Sequence, residues 1–192
     1  MRIVLAHGAG SGPWVFEGWP EEWIRVDLQE GLDVARASMR DYADAIVRAL
    51  PDAIVGWSLG GLAAMMAARD SKPQALVVLE PSPPAELLPP SNTVLLAEEG
   101  VFDPEEVYGA FPAGMRARPE SSPARAERKA GISVPSLPCP ALVVYGDDFA
   151  EERGRAVARF YGAEELYISG LDHWGVVRDP RVPGVAATWL AR

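Results

Sequence analysis

Short, continuously apolar runs recur along this chain, separated by stretches with helical spacing. Ile3 to Ala6 reads as a buried strand, and Trp23 to Leu28, Ala53 to Trp57, Ala75 to Leu79 and Ala141 to Tyr145 read as four more. Leu166 to Ile168 adds a short sixth. Between them lie the helices. Ser38 is placed to cap one, with Asp41 in capping-box position, Ala45, Ile46, Ala49 and Leu50 on its apolar face, and Pro51 ending it. Leu59 to Arg69 is apolar nearly all round, which predicts a buried helix. Arg153 to Tyr161 and Val185 to Arg192 complete the set. Strands alternating with helices predict an α/β fold: a mostly parallel sheet of about six strands, flanked by helices and joined by right-handed crossovers.

One stretch breaks that rhythm. Residues 81–140 hold twelve of the 18 prolines, a density that no continuous strand or long helix survives. A short helix is expected after Asp103-Pro104, a cap followed by proline at the first helical position. Val94, Leu95, Leu96, Val101, Phe102, Tyr108 and Phe111 are too many large apolar groups for a linker. The segment is therefore expected to be a cap, inserted between the fourth and fifth strands of a single domain spanning 1–192 and packed over one end of the sheet.

Composition narrows the function classes. The chain has 192 residues, enough for one domain with a real core, and a formal net charge of −9, the wrong sign for a nucleic-acid binder. Cys139 is the single cysteine and sits between Pro138 and Pro140, so no intrachain disulfide forms, and a reducing, cytoplasmic setting is expected. With only His7 and His173 and no Cys/His cluster, neither a metal nor any other cofactor is expected. The first apolar run stops after four residues at His7, too short for a signal peptide. No run approaches the ~18 apolar residues of a membrane span. Nothing in the chain speaks to oligomeric state.

The chemistry concentrates at Gly56-Trp57-Ser58-Leu59-Gly60, a G-x-S-x-G pattern lying between a strand and a helix. A sharp turn there lifts the Ser58 hydroxyl above the sheet edge, and the following helix aims its N-terminal amides at a developing oxyanion. With Gly61 added, this elbow resembles that of small carboxylesterases of the α/β-hydrolase superfamily, and the resemblance covers nearly the whole chain. His7-Gly8-Ala9-Gly10 resembles the family's oxyanion loop and Asp172-His173-Trp174 its histidine loop. The usual two leading strands are missing, which implies a trimmed, minimal version of the fold.

The resemblance implies Ser58 as nucleophile, His173 as its base, and the amides of Leu59 and Ala9, with Gly10 as the lesser choice, as oxyanion donors. The acid belongs just past the fifth strand, where Tyr145-Gly146-Asp147-Asp148 ends it. Asp148 is nearest the family's position, with Asp147 and then Glu80, at the end of the fourth strand, as alternatives. Asp172 is expected to fix its loop. Trp14, Trp57 and Trp174 are candidates to line an acyl pocket. The implied activity is hydrolysis of a small carboxylic ester or thioester through an acyl-enzyme. Acyltransferase, lyase and carbon–carbon hydrolase activities, or a non-catalytic binding protein, are the alternatives on the same fold.

Overall fold

The computed structural model describes residues 1–89 and 98–192 of the protein. Val94, Leu95 and Leu96, read above as packed, lie outside the described residues. In chain order the elements are β1 (Ile3–Ala6), a 3₁₀ turn (Pro13–Phe16), β2 (Ile24–Val26), α1 (Met39–Arg48), β3 (Ala53–Trp57), α2 (Leu59–Ser71) and β4 (Ala75–Leu79). After a second 3₁₀ turn (Ala85–Leu87) come β5 (Val101–Phe102), α3 (Pro104–Tyr108), β6 (Glu120–Ser121) and α4 (Ser122–Ala130). The chain closes with β7 (Ala141–Tyr145), wide π-helical turns (Ala150–Arg155), α5 (Ala156–Tyr161), β8 (Glu164–Tyr167), α6 (Gly175–Arg178) and α7 (Arg181–Leu190).

Six strands form one sheet in the order β2-β1-β3-β4-β7-β8, every neighbouring pair parallel. Successive strand residues point to opposite faces, and both faces are covered. Val4, Ile54, Leu76 and Val143 pack with α1 and α2 residues such as Ile46 and Leu62. Leu5, Val55, Val77 and Val144 face Phe16, Val177, Val182 and Trp189 on the other side. That double burial is why these strands read as unbroken apolar runs. The expected capping box is present: Ser38 Oγ accepts from Asp41 N–H while Asp41 accepts from Ser38 N–H, an arrangement contributing on the order of 1 kcal/mol. Asp103 caps α3 by a single bond, accepting from Glu105 N–H.

Some boundaries differ from the sequence expectation. The helix expected at Arg153 begins at Ala150 as π-helical turns, and the closing helix starts at Arg181 rather than Val185. Pro183 fits inside the first turn of that helix because amides there have no intrahelical acceptor to lose. No helix among the described residues is long and apolar enough to cross a membrane.

The chain runs from β1 outward to β2, then returns to the other side of β1 for β3. That reversal opens a crevice at the carboxyl ends of the strands, where ligands bind in open parallel sheets. The segments leaving β1, β3, β4 and β7 all emerge there.

Candidate active site

Ser58 follows β3 and precedes α2 with φ 55° and ψ −118°, a backbone conformation few non-glycine residues adopt. Glu80, one residue past β4, is the neighbouring strained position, with φ 39°. Each costs roughly 1–3 kcal/mol and persists because its surroundings over-determine it. The sheet's own hydrogen bonds do so here. Ser58 N–H donates to Leu79 carbonyl, Glu80 N–H to Val144 carbonyl, and Ser82 N–H to Ser58 carbonyl at 2.8 Å. Space fixes the elbow as well. A Cβ on Gly56 would lie 2.5 Å from the Gly60 carbonyl oxygen, and one on Gly60 would run into the Ala6 and His7 carbonyls.

His173 sits on the loop between β8 and α6, its ring resting 5.0 Å from the Trp57 ring and 5.1 Å from Phe149. Its Nδ1 lies 2.6 Å from Glu80 Oε2. Glu80 is completely buried, and its second oxygen accepts from Gly146 N–H at 2.8 Å. With Nδ1 so engaged, Nε2 is the ring nitrogen left for chemistry. Neither Ser58 Oγ nor His173 Nε2 is taken by a hydrogen-bond partner among the described residues, and both residues line one cavity of about 340 Å³.

The expected acid is therefore placed differently. Asp148 does not reach the imidazole: its carboxylate accepts the main-chain N–H of His173 at 3.0 Å. Asp147 accepts from Tyr167 OH and Gly170 N–H and holds the β7 and β8 ends together. The physical reason is sheet geometry. Glu80 leaves the strand next to the nucleophile's own, whereas β7 lies one strand further out. The sequence signal for Glu80 is its place directly after the wholly apolar run Leu76 to Leu79, since a carboxylate buried there needs donors. Asp172, expected to fix its loop, accepts from Gly175 N–H at 2.6 Å.

The loop after β1 faces Ser58 across the cavity. His7 is buried, and Leu28 N–H donates to its Nε2, so Nδ1 carries the proton and donates to Gly8 carbonyl. Gly10 N–H is taken by Glu120 Oε2 at 3.0 Å. The amides of Ala9 and Leu59 have no acceptor among the described residues, and Ala9 lines the cavity. Glu120, overlooked in the sequence, is 1% exposed and also accepts from Tyr42 OH and Ser121 N–H. Burial and the adjacent Glu120 charge push the Tyr42 phenol far above its usual range, so it remains a donor.

Trp57 and Trp174 line the cavity together with Tyr108 and Phe111 from the segment between β4 and β7. Trp14 does not; it borders surface hollows with Glu17. Asp148, Phe149, Arg128 and Arg153 also line the cavity; the two arginines carry no signal in the sequence, where isolated arginines read as surface charge. Cys139 is a half-buried free thiol whose pKa is raised by burial, which disfavours the thiolate.

The family comparisons agree with this architecture. A model of an alpha/beta hydrolase family matches residues 3–183. Among solved structures, a methylesterase (MES16) from Arabidopsis is similar with TM-score 0.71 at 15% identity, covering 100% of this chain and 99% of that one. An esterase from Thermogutta terrifontis gives 0.63 at 19% identity, with 100% and 89% covered. The thioesterase domain from the curacin biosynthetic pathway gives 0.63 at 16% identity, with 98% and 91% covered. No curated protein matches the sequence significantly. With the family match spanning nearly every residue, and the parallel sheet carrying Ser58 at its strained strand-to-helix turn, this chain belongs to the alpha/beta hydrolase family.

Proposed function

We propose that the protein is a serine hydrolase of small carboxylic esters or thioesters, with Ser58 as nucleophile, His173 as general base and Glu80, in place of Asp148, as the acid. The observation that carries this reading is the alignment of a fully buried carboxylate, an imidazole held through Nδ1 at 2.6 Å, and a cavity shared by that imidazole and a strained serine. His173 Nε2 takes the Ser58 proton as Oγ attacks the carbonyl carbon. Negative charge on the carbonyl oxygen is met by the amides of Ala9 and Leu59, the latter at the positive end of α2. His173 then protonates the leaving group, and water activated by the same nitrogen releases the acid. The stretch Tyr108 to Phe111, which lines the cavity, acts as its lid. The esterase and thioesterase names of similar folds support this substrate class.

A fluorophosphonate probe tests the reading. Wild-type protein should label stoichiometrically, and Ser58→Ala should neither label nor hydrolyse 4-nitrophenyl butyrate, with a loss on the order of 10⁴-fold. Activity of Ser58→Ala within about tenfold of wild type would remove the nucleophile.

A further inference from the structure

The cavity around Ser58 carries two positive charges that the reaction above does not use. Arg128, on α4, donates to Ser82 Oγ at 3.2 Å and to Tyr108 OH at 2.8 Å, both neutral. Its Nε is buried with no hydrogen-bond partner. Arg153 enters from the π-helical turns after β7, a local widening often found where a helix serves a site. Its guanidinium carbon lies 3.9 Å from the centre of the Phe149 ring, which in turn packs edge-on against His173. Neither arginine forms an ion pair among the described residues; Asp148, the one carboxylate lining the same cavity, is engaged by the His173 main-chain N–H.

Holding two guanidinium groups in one small cavity is costly. Burial lowers the Arg153 pKa; Glu80 opposes that shift and the Arg128 charge adds to it. The imidazolium formed during catalysis would add a third positive charge nearby. An anion between the arginines would relieve that repulsion and satisfy their unpaired donors, and guanidinium forks suit carboxylate and phosphate oxygens.

We infer that Arg128 and Arg153 bind an anionic oxygen group on the substrate, so the site takes an ester or thioester whose far end bears a carboxylate or phosphate. The inference names the substrate class of the proposed hydrolase and rests on that reading for the reaction, but not for the binding. The cavity, at the small end of ligand-site volumes, suits a compact molecule.

Binding decides it. Trp57 and Trp174 line the cavity, so their fluorescence reports occupancy whether or not the protein turns over. Adipate and 6-hydroxyhexyl phosphate are titrated against neutral 1,6-hexanediol, the first two separating carboxylate from phosphate recognition. At least one anion should bind tenfold or more tightly than the diol and weaken with added salt, while the diol does not. Arg128→Met and Arg153→Met should each lose about tenfold or more of that preference, and the lysine variants should keep part of it. Retained fluorophosphonate labelling certifies that a variant is folded, and the salt series on wild-type protein stands if one is not. Anions binding no better than the diol, or methionine variants indistinguishable from wild type, would overturn the inference. Absent labelling of wild-type protein would count against the hydrolase alone.

Discussion

Replacing Glu80 by glutamine should cripple turnover while leaving the fold in place. Two donors converge on this carboxylate, Gly146 N–H at 2.8 Å and His173 Nδ1 at 2.6 Å. Glutamine keeps the shape but offers one acceptor oxygen, so one donor must face an NH₂ group. Either the Gly146 amide is left unpaired, costing about 1–3 kcal/mol of stability, or the imidazole is driven to the wrong tautomer. The lost charge matters more. A carboxylate about 4 Å from the imidazolium charge, at an effective dielectric of about 20, is worth roughly 4 kcal/mol, or about 10³ in rate. Loss of tautomer control brings the expected fall in kcat to 10³–10⁴. The control is Asp148→Asn. Asp148 is half of an exposed main-chain hydrogen bond, so its loss should cost about 0.5–1.5 kcal/mol and no more than about tenfold in rate. The assay is steady-state hydrolysis of 4-nitrophenyl butyrate, with active sites counted by fluorophosphonate and folding checked by circular dichroism. If Glu80→Gln stays within tenfold of wild type, or Asp148→Asn loses as much as Glu80→Gln, the assignment of Glu80 fails.

Other consequences follow from single residues. Phe111 packs 4.7 Å from Trp174 and lines the cavity, whereas Phe102 packs against Tyr108 outside it. Phe111→Ala should shift the acyl-length preference on a 4-nitrophenyl ester series toward longer chains, and an unchanged profile would exclude a lid at this residue. Glu120→Ala strands the Gly10 and Ser121 amides and the Tyr42 hydroxyl, so urea unfolding should show a loss of roughly 3–5 kcal/mol; a loss under about 1 would count against the network. The Arg118 guanidinium, donating to both Asp27 oxygens, and the Gln29 N–H hold the Asp27 carboxyl well below its ordinary 3.8. A depressed folded pKa stabilises above the unfolded value and stops doing so as pH falls through the folded one. The stability gap between wild type and Asp27→Asn should therefore be full at pH 7 and shrink steadily below about pH 4. A gap independent of pH would contradict that.

The local signals in this sequence were strong because each had a local cause. Double burial makes β1, β3, β4 and β7 unbroken apolar runs, and the observed bounds of Ile3–Ala6, Ala53–Trp57, Ala75–Leu79 and Ala141–Tyr145 coincide with those runs. The Ser38 cap, the Asp103 cap and the strand-to-helix serine are likewise short-range patterns, fixed within a few residues of chain. What the sequence could not decide is which distant groups meet. Asp148 looked right by counting from Gly146, yet Glu80 takes the imidazole because the strand order puts β4 beside β3 and β7 beyond it. Ala9 rather than Gly10 keeps a free amide because Glu120, 110 residues away, consumes the other. Arg128 and Arg153 resemble any surface arginine until α4 and the turns after β7 fold over one cavity. Periodicity and caps are written in neighbouring residues. Partnership between charges depends on crossover connections, and these exist only once the sheet has formed.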